Sequence, residues 1–313
     1  MLIDVSTMTS ASSFDLVTVG HFAIDTISSP KLIPERTALG GSATYVSLAA
    51  ARLGAKVSVI SKCGKDFPDQ YLDWLRSNQV DLSGIKRIAS GVTTKFALRY
   101  QREHKRKLHL KALAPAIKAN DIPNTLQARA IHVAPIANEV SISVVRKLGK
   151  LAPVLSLDPQ GFIRDFNAHG NVRLKRLKAG PILELIDVYK SSQDEMRRIT
   201  GISNLRQAAK KIHDCGSKIV IATQGLHGST LLFESAFFNV PACRPQVTLD
   251  PTGAGDAYMG AFLAEYLRGE DPYWCACVGS AAASFVVEGV GPERLGNKEE
   301  TYARARIIYP KRE

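Results

Sequence analysis

The stretch "DPTGAGDAYMGAF", Asp250 to Phe262, sets three small residues, Gly253, Ala254 and Gly255, directly before an acid, Asp256. A helix that begins there offers unpaired backbone N–H groups and the positive end of its dipole. Glycine and alanine let an anion come close to those groups. Such a cradle suits developing negative charge, and one well-aimed donor contributes roughly 3 kcal/mol to a transition state. Asp256, in the first turn, can take a proton from a nucleophile, work that contributes roughly 10²–10⁴-fold. The same residues also fit a plain capped helix start, because acids favour helix N-termini and glycines mark the turns before them.

Three other phosphate or nucleotide motifs are excluded. A dinucleotide fingerprint needs a glycine or alanine where Tyr258 stands. A Walker A loop fails because Gly64-Lys65 is followed by Asp66, not Ser or Thr. Arg164-Asp165-Phe166 lacks the neighbours of a protein-kinase catalytic loop. Two further stretches carry candidate side chains. "GHFAID" puts Asp25 just after an apolar run. "LDPQGFIRDF" follows another such run, where α/β proteins bind ligands, so Gln160 and Arg164 are candidates to meet a substrate or a phosphate. A capped loop with a surface arginine is the other reading of that stretch.

The elements that must position these residues alternate in kind. Strands are expected at Asp15–Gly20, Lys56–Gly64, Ala130–Val133, Val154–Asp158, Leu185–Lys190 and Lys218–Thr223. Helices are expected at Ser42–Gly54, Phe67–Asn78, Glu139–Gly149, Asp194–Thr200 and Leu205–Cys215. Short strands at Ser229–Phe233 and Ala236–Val240 precede the GAGD stretch. After it come an amphipathic helix at Ala254–Arg268 and helices at Pro272–Val287 and Lys298–Ile308. This pattern predicts an α/β fold, doubly wound, with a mostly parallel sheet covered by helices on both faces.

Thr93–Leu113 departs from the pattern. It alternates with period two around a charged turn, with Phe96, Leu98 and Tyr100 facing one way and Lys95 and Arg99 the other. It predicts a small β-hairpin lid, with lid elements near 21–40 and 92–113. Arg99, Arg102, Lys105, Arg106, Lys107 and Lys111 stand there against one acid, Glu103. That is either a solvated hairpin or a cover that attracts an anion.

At 313 residues, with 45% hydrophobic and 22% charged side chains, the chain can bury a substantial core. The net charge of +12 admits an anionic partner. A noncatalytic nucleic-acid-binding protein is the rival reading from another class, but no helix-turn-helix, zinc-finger or RNP-type motif supports it. Five cysteines, at 63, 215, 243, 275 and 277, show no metal spacing and read as reduced thiols of a cytoplasmic protein. Residues 1–13 read as a flexible tail rather than a signal peptide, ahead of one domain over 14–313. No apolar stretch of about 20 residues predicts a membrane span.

Taken together, "LGGSATYVSLAAARLGAKVSVISKCGKDF" and "DPTGAGDAYMGAF" resemble the N- and C-terminal signatures of the ribokinase-like (PfkB) carbohydrate kinases. The resemblance runs from about Phe14 to Pro292, in order and with matching spacing. It implies an ATP-dependent kinase that phosphorylates a hydroxyl of a small polyhydroxylated molecule. Asp256 would be the base, and the amides of Gly253, Ala254 and Gly255 the anion hole. Asp25 would grip acceptor hydroxyls, and the Gly40–Gly41 pair would approach the acceptor and let the lid hinge. Tyr45 stands where the ribokinase subgroup has asparagine, which argues against ribose itself.

The resemblance also assigns the nucleotide side. "TQGLHGS" matches the turn at the nucleotide phosphates and sugar, through Thr223, Gly225 and Gly228. Ser192-x-x-Glu195 aligns with an Asn-x-x-Glu element that organises Mg²⁺ and phosphate through water, with serine in place of asparagine. Asp250 and the Thr252 region resemble a monovalent-cation loop, which would take K⁺. "CACVGSAAASFVV" resembles the helix beside the adenine, or a plain close-packed helix. "DPQGFIR" resembles a subgroup that includes inositol kinases and archaeal sugar kinases. The acceptor is therefore expected to be a sugar or cyclitol first and a nucleoside second. Lid edges in this family often pair between subunits, so a homodimer through the lid is expected.

Overall fold

An apolar strand, β1 (Phe14–Val19), runs through the middle of the main sheet. Its side chains alternate between faces, so Leu16 joins the core on one side and Val17 the core on the other. The computed structural model describes residues 14–30, 32–100, 106–175 and 180–310. The tail expected over 1–13 and the hairpin tip with Arg102, Glu103 and Lys105 lie outside the described residues.

After β1, strands β2 (Ala23–Ser29) and β3 (Leu32–Gly40) leave the sheet and α1 (Ser42–Arg52) returns to it. Next come β4 (Val57–Gly64), α2 (Asp69–Ser77), β5 (Val80–Asp81) and β6 (Ile85–Ile88). The basic hairpin is β7 (Thr94–Tyr100) and β8 (Arg106–Ala112), followed by β9 (Ala128–Val133), α3 (Ile142–Leu148) and β10 (Val154–Leu157). A single turn, α4 (Gln160–Ile163), leads into a small hairpin, β11 (Arg164–Phe166) and β12 (Val172–Leu174). Then follow α5 (Gly180–Leu183), β13 (Val188–Ser192), α6 (Gln193–Thr200) and α7 (Leu205–Asp214). The chain closes with β14 (Ile219–Thr223), β15 (Ser229–Phe233), β16 (Ala236–Val240), α8 (Ala254–Tyr266), α9 (Pro272–Val286) and α10 (Lys298–Ile308).

The main sheet runs β16-β15-β14-β13-β10-β9-β1-β4-β5, with β6 also paired to β4. Its pairs are parallel except those made by β15 and β16. Helices α1, α8 and α9 bury one face; α3, α6 and α7 bury the other. The expected doubly wound α/β layering is what forms. From β1 the chain first moves to β4 on one side and later to β9 on the other. The order therefore reverses beside β1, which opens a crevice at the carboxyl ends of the strands.

Four strands, β3-β2-β7-β8, make the lid. The period-two hairpin is only half of it. The other half, β2 and β3, was not assigned to strands because Ser28-Ser29-Pro30 and Pro34 interrupt its alternation. Phe96 and Leu98 face inward with Ala23 and Ile27 and pack on Ile136 and Ala137, forming a small third core. Lys95 and Arg99 face outward, as the alternation predicts.

Several boundaries differ for local reasons. The strand expected at Leu185–Lys190 is Val188–Ser192, because the chain is still turning before it and Asp187 uses its carboxylate to hold the Leu155 amide. The helix expected from Glu139 starts at Ile142, with Ser141 as its cap. Glu139 instead accepts from the amides of His21, Ile136 and Ala137. Pro68 precedes α2 as its N-cap rather than sitting in its first turn. The run after Asp256 is not amphipathic: Ala257 to Tyr266 are all buried. Helix α8 lies between α1, α9 and the sheet, and such a helix is apolar all round. Gly260 allows this, since a Cβ there would fall 2.1 Å from the Val46 carbonyl oxygen.

Candidate active site

The start of α8 is shaped by one positive dihedral. Gly253 caps the helix at φ 80°, a region that L side chains rarely adopt. A Cβ at 253 would also fall 2.4 Å from the Tyr45 ring. Among the described residues, the Gly253 and Gly255 amides make no backbone hydrogen bond, while the Ala254 amide reaches Pro251 O at 3.3 Å. Two free N–H groups therefore sit at the positive end of a helix of 13 residues. Ala254 contributes less to this cradle than its two neighbours.

Asp256 follows, in the first turn. Its Oδ1 accepts from Gln160 Nε2 at 3.2 Å, and the same nitrogen donates to Ser42 Oγ at 2.6 Å. Burial pushes the Asp256 carboxyl up to about 6; the Lys190 ammonium pulls it back and the Asp158 carboxylate adds to the rise. A base poised near 6 is ionised at neutral pH yet still accepts a proton, which suits general base work.

Two cavities meet at this helix start. The first lies under the lid, with Asp25, Tyr45, Arg106, Gln160, Arg164 and Asp256 as its polar walls. Phe96, Leu98, Leu108 and Ile136 give it an apolar side. The second is a cleft of about 760 Å³ on the other side of the turn, reached by Ala254 and Gly255. Thr223, Gly225 and Gly228 stand along this cleft, and Ala242, Pro245, Ala283 and Val287 form apolar walls.

Asp25 lies deep in the first cavity. Burial raises its carboxyl to about 7, with Arg106 opposing and Asp250 adding to the rise. Its Oδ1 has no hydrogen-bond partner. Gly40 makes room for it, because a Cβ there would fall 2.0 Å from Asp25 Oδ2. Gly41 follows at φ 90° and joins the lid to α1. A buried, partly unpaired carboxylate in a cavity is a hydroxyl acceptor in waiting. Arg164 donates to Ile136 O at 3.1 Å, which ties the β11 end to the loop after β9.

The structure does not bring every expected residue to the cavities. Ser192 and Glu195 line neither one; they close on each other at the start of α6. Glu195 Oε2 takes the Ser192 amide at 2.9 Å and its hydroxyl at 2.8 Å. Gly228 is needed for the β14–β15 turn, at φ 85° with Val240 O 2.1 Å from where a Cβ would lie. It is thus a turn residue that also borders the cleft. Asp250 turns one oxygen, Oδ1, to three donors: Thr252 N at 2.9 Å, Thr252 Oγ1 at 2.7 Å and Tyr100 OH at 2.7 Å. Its Oδ2 is buried without a partner.

Four side chains of the site were not singled out from the sequence. Tyr100 and Arg106 come from the lid, where they read as part of an apolar face and of a charge run. Asp158 and Lys190 form a buried ion pair at 2.6 Å behind the helix start. A lysine inside an otherwise buried strand was the available signal for the second.

Residues 14–298 match the pfkB family of carbohydrate kinases. The chain belongs to that family. It is 32% identical over 286 residues to a cytidine kinase of Thermococcus kodakarensis, covering 88% of this chain and 97% of that one. It is 30% identical to a nucleoside kinase of Methanothermobacter thermautotrophicus, covering 89% and 91%. Among solved structures, the Methanocaldococcus jannaschii nucleoside kinase superposes with a TM-score of 0.77 at 22% identity, over 95% of this chain and 99% of that one. A pyrophosphate-dependent kinase of the ribokinase family, complexed with a pyrophosphate analog and myo-inositol, gives 0.79 at 23%, over 92% and 99%. The chain is a sugar or nucleoside kinase of the ribokinase family. Among the described residues no helix is long and apolar enough to cross a membrane.

Proposed function

We propose that this pfkB kinase transfers the γ-phosphoryl group of ATP to a hydroxyl of a nucleoside. The observation that supports the transfer is the placing of one helix start between two cavities. Asp256 borders the cavity under the lid, and Ala254 and Gly255 border the cleft. Asp256 takes the proton of the acceptor hydroxyl as its oxygen forms the new bond to phosphorus. The bond from phosphorus to the bridging oxygen of ADP breaks, and ADP leaves with that electron pair. The Gly253 and Gly255 amides meet the charge on the transferring group, so catalysis is mainly positioning plus electrostatics. A closed lid keeps water from taking the phosphate instead.

The cleft supports a nucleoside triphosphate over pyrophosphate as donor, since a bare diphosphate has no use for about 760 Å³ with apolar walls. The acceptor reading reverses the order expected from the sequence, which put sugars and cyclitols first. Two points favour a nucleoside. The relatives at 30% identity or more carry the names cytidine kinase and nucleoside kinase. The apolar side made by Phe96, Leu98, Leu108 and Ile136 suits a flat base, while Asp25 suits ribose hydroxyls.

No group of three or more His, Cys, Asp or Glu is placed to hold a metal among the described residues. A Mg²⁺ would arrive on the nucleotide phosphates; the expected contact with Glu195 through water would need that carboxylate to leave Ser192 for a cavity it does not line. Bound there, Mg²⁺ supplies charge neutralisation on the phosphates. The unpartnered Asp250 Oδ2 is the oxygen that fits a monovalent cation such as K⁺. Strand β3, at the outer edge of the lid sheet, is where a second copy would pair to form a homodimer.

The test is a screen with ATP or pyrophosphate as donor and cytidine, adenosine, ribose or myo-inositol as acceptor, with product read by mass spectrometry. A nucleoside monophosphate formed from ATP is expected. Product from myo-inositol or ribose alone would return the acceptor to the sugar class. Transfer to none of them, or full transfer by Asp256→Asn, would overturn the kinase mechanism.

A further inference from the structure

Lys190 is an ammonium group in the interior. It projects from the middle of β13, is 4% exposed, and pairs with Asp158 Oδ2 at 2.6 Å. Burying such a pair is costly, so replacing it by apolar residues is often neutral or stabilising. Its position explains the expense better than stability does. A Cβ added to Gly255 would fall 2.8 Å from Lys190 Nζ, so the ammonium touches the turn that carries the anion hole and Asp256.

The contacts form a chain that ends on Asp256. Asp158 Oδ2 holds Lys190, while Asp158 Oδ1 accepts the Gln160 amide at 3.1 Å. Gln160 Nε2 in turn reaches Asp256 Oδ1. Strand β13, the end of β10 and the start of α8 are thus linked through Lys190, Asp158 and Gln160 to the reacting carboxylate. Lys190 borders neither cavity, so it stands behind the carboxylate rather than in the path of substrate.

We propose that Lys190, pinned by Asp158, is a positioning residue for the Asp256 base, holding it ionised and fixed toward the acceptor cavity. The proposal rests on the reading of Asp256 as the base. Other charges face Asp256 as well. Arg164 faces it from β11 and opposes its protonation, while Asp158 at the end of β10 favours it. Asp25 on β2 and the neutral Tyr45 on α1 lie across the first cavity. Glu195 on α6 interacts with Lys190 rather than with the base, and together with Asp158 and Asp256 it raises the lysine against the opposing effect of burial. Lys190 is the cation that acts most strongly on Asp256.

Two substitutions shift this balance in opposite directions. The readout is the acid limb of kcat/KM for the acceptor, with folding checked by thermal melting. Lys190→Met should move the limb up by about 1–3 pH units, since that is the usual effect of losing one close opposite charge. Turnover near pH 7 should fall by about twofold for the smallest of these shifts to about 100-fold for the largest, and recover toward pH 9. Asp158→Asn keeps the size of the side chain, leaves Asp256 and Glu195 facing Lys190, and should move the limb down. A merely structural pair would not give opposite shifts. If Lys190→Met fails to fold, Asp158→Asn decides alone, and a limb that stays or rises overturns the proposal. Asp256→Asn is run in parallel. If it is inactive while neither limb moves, the base stands and the role of Lys190 falls. If it transfers phosphate at the wild-type rate, the base reading itself has failed.

Discussion

Asp25 should hold the acceptor at a cost to the fold, and the cost can be measured. Its carboxyl sits at about 7 against 3.8 for a free aspartate, because burial disfavours the charge. The folded value lies above the unfolded one. Its contribution is therefore most favourable at low pH and is lost as pH rises through 7. Linkage puts the cost of the ionised group at about 2 kcal/mol at pH 5 and about 4 kcal/mol at pH 8. Asn cannot ionise, so Asp25→Asn removes a term that grows with pH. The assay is urea unfolding of wild type and variant at pH 5, 6, 7 and 8, each with its own midpoint and slope. The difference in unfolding free energy, variant minus wild type, should rise by roughly 2–3 kcal/mol across that range. A difference flat in pH would refute the argument. The same variant should lose part of the rise in Tm that the acceptor gives wild type, because a neutral amide with one accepting oxygen replaces the carboxylate.

Other outcomes follow from single contacts. Gly253→Ala should abolish turnover while ATP still binds, because the new methyl needs both a forbidden φ and the place of the Tyr45 ring; nucleotide titration beside a turnover assay separates the two. Tyr100→Phe should loosen the lid, since the phenol on the lid strand β7 donates to Asp250, just before α8, at 2.7 Å. A hydrogen bond to a charged group contributes about 1.5–3 kcal/mol, so acceptor KM should rise about 10-fold or more with kcat less affected.

The legible parts were those where local chemistry and periodicity agree. The GAGD turn announced its free amides because glycine and alanine leave the approach open, and Gly253 does adopt the left-handed conformation. Alternating apolar strands and capped helices gave the sheet. The lid hairpin showed because Phe96 and Leu98 alternate with Lys95 and Arg99. Its partner strands were hidden, since β2 depends on pairing with β7 and β3 on pairing with β2, and Pro30 and Pro34 interrupt the run. The Lys190–Asp158 pair was hidden for another reason. The two residues are 32 positions apart, and only the parallel pairing of β10 with β13 brings them together. Glu195 illustrates the converse: its spacing was readable, and the structure uses that spacing to close a capping box with Ser192, as Glu300 does with Asn297.

The Tyr45 ring has a consequence for how the acceptor range of this kinase can drift. It walls the acceptor cavity and also fills the space beside Gly253, so a change made there to admit a new substrate would disturb the phosphate cradle as well. Phe96, Leu98 and Leu108 border the same cavity from strands that carry none of the reacting groups. Selection for a different alcohol can therefore recolour the roof while leaving the hearth untouched.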